Sequence, residues 1–308
     1  GTTFSIYGTV EPKIITETNE SGDDSTELDD EDSTLGFVVE NRFSESVTGF
    51  AQIELEFSSD DNSNGFDQLD SAFLGVKGDF GKVQAGNFDS VYEDLIIDAT
   101  EVAEDAEITD EAFADENNQL AYYSPDWNGF SFRTQARLVG RDDARAAGDE
   151  DDNKVGFSIA GGYTGNNWGL YAGYDDREAE ATDEFSDGSA NPEGDVFVGE
   201  STYGVSGIYG IGQFEFGAKY AIQNNLDTDP AGDDTTFTAL RVTFIQGRSE
   251  FYAAVQRVDE DAGGERDEVT IGASHKLYSS LSVWAEAGQY DRPQDEGDHY
   301  MIGAIYSF

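Results

Sequence analysis

The sequence has no cysteine, one methionine, two histidines and five prolines in 308 residues, and only 17 basic residues against 65 acidic ones. Each shortage excludes something. Without cysteine there is no disulfide framework, thiolate metal site or cysteine nucleophile. A formal charge of −48 repels phosphate backbones and excludes a general nucleic-acid binder. No apolar run approaches the roughly 18 residues of a transmembrane helix or a retained signal peptide. Hydrophobic residues make up only 37%, little for one large core, yet 13% aromatics argue against a disordered acidic chain.

The acids are concentrated in eight blocks, at 17–32, 58–70, 89–116, 141–153, 175–201, 224–234, 258–268 and 291–298. Between them apolar and polar residues alternate with the two-residue period of a strand. Phe157, Ile159, Gly161 and Tyr163 share one face, as do Phe214, Phe216, Ala218, Tyr220 and Ile222, and Tyr300, Ile302, Ala304, Tyr306 and Phe308. Helical spacing is almost absent, and 35 glycines fit strands and turns. The chain reads as all-β.

Strands pair across seven short turns, at 42–47, 78–82, 124–129, 164–167, 209–212, 246–249 and 277–281, which alternate with the acidic blocks. Short turns on one side and long loops on the other are the pattern of an outer-membrane β-barrel. Sixteen strands are expected to start near Thr2, Leu35, Thr48, Gln68, Lys82, Asn118, Phe130, Lys154, Trp168, Thr202, Gln213, Thr236, Arg248, Asp267, Leu281 and Asp298. The whole chain, 1–308, forms one transmembrane barrel domain on this reading. A closed sheet pairs every backbone group without an apolar interior, which explains the low hydrophobicity. Tyr7, Tyr163, Tyr174, Tyr220 and Tyr306 are candidates for the interfacial girdles, and Ile6, Leu35, Phe37, Val39 and Phe73 for an outward apolar strip. Pro12 cannot donate to a ladder, so a bulge or loop contact is expected beside it. A soluble β-sandwich also alternates, but strand number, one-sided loops and the terminal aromatic residue oppose it.

Phe4-Ser5-Ile6-Tyr7-Gly8-Thr9 resembles the "tLYG" first strand of the general, non-specific porins of Gram-negative outer membranes. Leu74 to Val83, followed by Ala85-Gly86, is similar to their "LGLKGdfGtVtlGR" hairpin. The segment from Asn118 through Tyr123-Ser124-Pro125 to Gly129-Phe130 resembles "NSvrYdSPxfxGF", and Tyr306-Ser307-Phe308 their terminal strand. The resemblance implies a homotrimer in the outer membrane and a third loop folded into the lumen as the constriction; a start at the first strand leads to the expectation of a removed secretory signal.

That loop is 88–116, and its carboxylates include Glu93, Asp94, Asp98, Asp115 and Glu116. Glu101, Glu104, Asp105, Glu107, Asp110 and Glu111 are expected at the pore constriction. Lys13, Asp70, Arg133 and Arg137 are expected on the facing pore wall. Carboxylates in a narrow aqueous channel concentrate cations and repel anions. The family's basic ladder falls near Thr9, Thr34, Asp70 and Glu116, with Asn87 at a further arginine position, and none of these is basic here. Lys154, Lys219 and Arg241 join Lys13, Arg133 and Arg137 on inward faces, where a partial positive wall and simple pairing with nearby carboxylates are both open.

The expected function is passive diffusion of small hydrophilic solutes and ions through a cation-preferring pore. A substrate-specific outer-membrane channel and a barrel-type outer-membrane hydrolase are the alternatives. For the latter, His275 and His299 come with no fixed nucleophile or oxyanion donor. No cofactor is expected. The runs Asp29-Asp30-Glu31-Asp32 and Asp149-Glu150-Asp151-Asp152-Asn153 suit Ca2+ or Mg2+ in donor type, but lack the spacing of a calcium loop. Loose condensation of cations is the expectation. The charge as a whole points to a salty habitat, in which the acidic loops are screened.

Overall fold

The computed structural model of the chain describes residues 1–18, 21–61, 66–113, 117–139, 154–176, 181–182, 196–197, 201–225, 232–291 and 298–308. Asp115, Glu116, the acidic run 149–153 and the Lys154 side chain lie outside the described residues.

The first 87 residues contain strands Thr2–Val10 (β1), Pro12–Thr18 (β2), Asp24–Asp30 (β3), Thr34–Arg42 (β4), Val47–Phe57 (β5), Phe66–Gly78 (β6) and Gly81–Asn87 (β7). One helical turn follows, Glu93–Ile96 (α1), then Gln119–Tyr123 (β8), Phe130–Val139 (β9), Lys154–Thr164 (β10) and Trp168–Asp176 (β11). Next come Ala181–Thr182 (β12), Val196–Phe197 (β13), Ser201–Ile211 (β14), Phe214–Asn224 (β15), Asp234–Gln246 (β16) and Ser249–Glu260 (β17). Gly264–Tyr278 (β18), Leu281–Tyr290 (β19) and His299–Ser307 (β20) complete the chain.

β1 with β2, and β3 with β4, are two staves each interrupted once, so the sheet is a closed barrel of sixteen antiparallel strands. Closure comes from β20 against both halves of the first stave, with Thr9 opposite Ser307 and Lys13 opposite Gly303. Gly8 and Phe308 exchange backbone hydrogen bonds of 3.2 and 3.0 Å at the seam. β12 and β13 form a separate two-stranded ladder. The first-stave interruption falls at Glu11, beside Pro12, where the Glu11 N–H turns to Ser33 Oγ at 2.9 Å. The missing proline donor thus sits at the ladder break.

Side-chain orientation inverts that of a soluble protein. Along β15, Phe214, Phe216 and Tyr220 are exposed, while Lys219, Ala221 and Gln223 are buried. Apolar residues meet acyl chains outside, and the inward face is polar. Tyr163, Tyr174, Tyr220 and Tyr306 lie on the outer face. Tyr7 does not: it alternates with outward Phe4 and Ile6, and shares a side-chain hydrogen bond with Glu54 inside. Phe73 is also inward, packed edge-on against Phe88 at 5.6 Å, while its neighbour Leu74 faces out. Aromatic residues satisfy the two-residue period on either face, so the pattern alone does not say which.

Two acidic blocks expected as loops are largely strand. β2 and β3 pair from Pro12–Asp30 to Thr18–Asp24, and β17 and β18 continue to Glu260–Gly264. Strand ends that project beyond the bilayer need no apolar face, so their period disappears. Arg257 pairs there with Asp267 at 2.8 Å.

Candidate functional site

Residues 88–113 run inside the barrel, held by the inner wall. The segment starts apolar, with Phe88, Val91, Tyr92, Ile96 and Ile97 all buried. Tyr92 and Ile96 lie where the wall strands have glycine: a Cβ on Gly204 would stand 2.6 Å from Tyr92 Oη and 2.8 Å from Ile96 Cγ2. The wall then takes up the backbone polar groups one after another. Val91 N–H donates to Gln135 Oε1 at 2.8 Å, and Ser206 Oγ donates to the Leu95 carbonyl at 2.6 Å. Arg241 Nε donates to the Ala99 carbonyl at 2.7 Å. Glu286 accepts from the N–H groups of Glu104, Asp105 and Ala106 at 2.6, 3.0 and 2.9 Å. Glu268 accepts from Thr109 N and Oγ1 at 2.8 and 2.6 Å, and Gln223 from Ala112 N at 2.7 Å. A loop in the lumen must satisfy its backbone in this way or be solvated, and these inward polar residues hold it along most of its length.

The expected constriction carboxylates separate into two groups. Carboxylate oxygens of Glu101, Glu107 and Asp110 lie within 4.8 Å of one another, and Glu104 is exposed to the lumen. Confinement between loop and wall, with the Glu101 charge beside it, pushes Glu107 up to about 9. Partial desolvation between loop and wall, then the Glu286 charge, takes Glu104 to about 7; burial, opposed by Lys219, takes Asp110 to about 7. Asp98 reaches about 7 through burial and Glu101.

Asp105 and Glu111 are turned toward the wall instead. Asp105 accepts from Lys13 Nζ at 2.5 Å, and Lys13 also binds Glu31 at 2.6 Å. Glu111 is fully buried, accepting from Lys219 Nζ at 2.6 Å and Tyr92 Oη at 2.9 Å. Glu111 therefore cannot line the aqueous path, because its carboxylate is consumed by an ion pair beneath the loop.

On the expected facing wall, Lys13 serves as a tie between loop and first stave. Arg133 is paired with Asp94 of the loop. Arg137 is buried, in register with Gln119 and Gly156. Arg241 adds an ion pair to Glu215 at 2.5 Å. Of the two open readings for these basic residues, pairing with carboxylates describes Lys13, Arg133, Lys219 and Arg241. Asp70 lies across a polar cavity of about 300 Å³ between β5–β9 and the start of the loop, which Glu54, Lys82, Gln84 and Tyr123 also line.

The sequence reading missed Glu268, Glu286, Gln223 and Gln256, whose Nε2 donates to the Thr109 carbonyl at 2.5 Å, as loop anchors, and Lys82 and Gln84 as cavity residues. Their only signal was a polar residue at an inward position, which every lumen residue shares. His275 lies at an exposed position with Nδ1 2.8 Å from Ser249 Oγ, and His299 stacks edge-on with Tyr290 at 5.4 Å.

The profile of the family described as Gram-negative porin matches residues 2–295. The chain is 28% identical to the "Monosaccharide porin" of a Halomonas species, over 100% of this chain and 92% of that protein. Its fold is similar to the anion-selective porin from Comamonas acidovorans, with a TM-score of 0.77 and 15% identity over 100% of both chains. It is also similar to OmpT, an outer membrane protein of Vibrio cholerae, in its trimer form, with a TM-score of 0.71 and 16% identity over 100% of both chains.

Proposed function

The chain belongs to the Gram-negative porin family, and from that premise we propose that its pore prefers cations and that it works as a homotrimer. It is an outer-membrane diffusion porin, a passive path for small hydrophilic solutes and ions. One observation carries the cation preference. Around the inner loop the cations Lys13, Arg133, Lys219 and Arg241 each have a carboxylate partner, while Glu101 and Glu107 have no ion pair among the described residues and Asp110 only a share of Lys219, at 3.6 Å. The residual field in the channel is negative, and a channel bounded by a low-dielectric wall focuses it. The transverse field is weak, because the inward cations are neutralised where they stand.

Selection is by size at the loop and by charge from its carboxylates, with no catalytic step and no cofactor. Ca2+ or Mg2+ would associate with the loop carboxylates only loosely. The trimer reading is supported by the trimer form of the similar OmpT and by the exposed residues Phe4, Ile6 and Val39 on the first staves. The relative from Halomonas carries a sugar in its name, and the polar cavity beside the loop has room for one, which makes a monosaccharide-selective channel the second reading.

Neutralising the cluster tests the charge reading. Glu101→Gln/Glu107→Gln/Asp110→Asn should lose most of the cation preference while still conducting. Unchanged selectivity in that variant would refute the assignment. Conductance that closes in three equal steps in a planar bilayer supports the trimer; single isolated steps oppose it.

A further inference from the structure

Lys82 is the exception among the inward-facing cations. In a chain with 65 acidic residues it has no ion-pair or hydrogen-bond partner among the described residues, and its ammonium stands 3.8 Å above the Tyr123 ring. The Arg133 guanidinium lies 5.5 Å from the same ring. Both line the cavity of about 300 Å³ between β5–β9 and the start of the inner loop, where Asp94 pairs with Arg133 and leaves Lys82 as the uncompensated cation. One net positive charge and a polarisable face are thus gathered at one side.

The other side of the cavity is acidic. Asp70 shares a side-chain hydrogen bond with Glu54, and Asp89 lies on the loop face. Between the two sides sits Gln84, only 3% exposed, whose Nε2 donates to Tyr123 Oη at 3.4 Å. Its Oε1 has no hydrogen-bond partner. A buried carbonyl oxygen without a donor costs free energy, which a bound donor would recover.

We propose that this cavity is a subsite for small zwitterions, of the size and charge pattern of an α-amino acid. The ligand carboxylate meets Lys82, with Arg133 beside it. The ligand ammonium donates to Gln84 Oε1 and faces Glu54, Asp70 and Asp89. A neutral sugar leaves Lys82 without a carboxylate in contact, and so does a simple cation. Only a molecule carrying both charges answers both sides of the cavity. The inference is independent of the net ion preference, which a salt gradient without amino acid measures by itself.

Influx into proteoliposomes tests it, with alanine and glucose supplied in parallel over the same concentration range. Alanine influx should saturate while glucose influx rises linearly. Propionate and ethylammonium, which carry one charge each, should compete with alanine about tenfold less well than a second zwitterion, glycine. Lys82→Met should raise the half-saturating alanine concentration about tenfold, and Gln84→Leu should raise it as well. Linear alanine influx would overturn the proposal. So would saturation by glucose, competition by propionate equal to that by glycine, or a half-saturating concentration unchanged by Lys82→Met. The single-charge competitors act on the unaltered protein, so the result does not depend on either variant folding.

Discussion

Lys219 Nζ donates to Glu111 Oε2 at 2.6 Å with both side chains fully buried, tying the middle of β15 to the inner loop across 108 positions of sequence. Breaking a buried pair from one side leaves an uncompensated charge and costs about 3–5 kcal/mol, far more than the pair contributes on balance. Lys219→Met should therefore loosen the loop, seen as open-channel current noise and as faster protease cleavage within 88–113. Lys219→Met/Glu111→Gln, which removes both charges, should recover most of the loss. Equal damage from the single and double variants would show that the charge imbalance is not the cause.

Glu286 is the second anchor. Its two oxygens accept three consecutive loop N–H groups and the Tyr252 hydroxyl. Glu286→Gln replaces one acceptor with a donor that faces those N–H groups. Each buried donor left unpaired costs about 1–3 kcal/mol. Hydrogen exchange at 104–106 should rise by at least tenfold in this variant, with exchange in the β9–β10 ladder unchanged.

Gly217 permits a close approach of loop and wall. A Cβ there would lie 1.8 Å from the Ala99 carbonyl oxygen, closer than any real contact. Gly217→Ala should push the loop off the wall into the lumen and lower single-channel conductance. The Arg241 bond to the same carbonyl should be lost with it. Conductance equal to that of the unaltered protein would mean that the loop does not control the passage.

Protonation should tune selectivity near neutrality. Asp98, Glu104 and Asp110 titrate near 7, and Glu107 near 9, all above the ordinary carboxylate range. Below these values the lumen loses negative charge, so cation preference should increase from pH 6 to pH 9. Stability runs the other way. Between the ordinary carboxylate values and the raised ones the folded form binds more protons than the unfolded, so stability falls as pH rises through that window. Reversal potentials and thermal midpoints over pH 5–10 check both signs.

Salt should stabilise the protein. Acidic residues that project beyond the bilayer, such as Asp259 and Glu265, stand opposite each other in paired strands. At 1 M salt the Debye length is about 3 Å, against about 30 Å at 0.01 M, and their repulsion is screened. The thermal midpoint should climb between these conditions, and the Halomonas origin of a relative agrees with such a habitat. A midpoint independent of salt would remove the adaptive reading of the charge.

The barrel was legible because the bilayer enforces a two-residue period. Expected strand starts at Thr2, Phe130, Lys154, Trp168 and Leu281 coincide with the observed ones. Asp24–Asp30 was not legible as strand, since it is polar on both faces and projects beyond the membrane. Tyr7 and Phe73 were assigned to the wrong face because an inward aromatic residue obeys the same alternation as an outward one. The inward path of the loop came from the family resemblance rather than from its acids, and the fate of each acid was not readable at all. Glu101 and Glu111 look alike in sequence; what separates them is Lys219, which only the closed barrel brings beneath Glu111. Lys82 looked like a turn residue, and its lack of a partner is visible only in three dimensions.

The zero-current potential of the reconstituted protein under a tenfold KCl gradient at neutral pH tests the central claim most directly. A negative lumen carries K+ down the gradient and makes the dilute side positive, and that sign should grow as the pH is raised toward 9. A potential still at zero at pH 9, or a dilute side that turns negative, would contradict the assignment of Glu101, Glu107 and Asp110 as the charges that select.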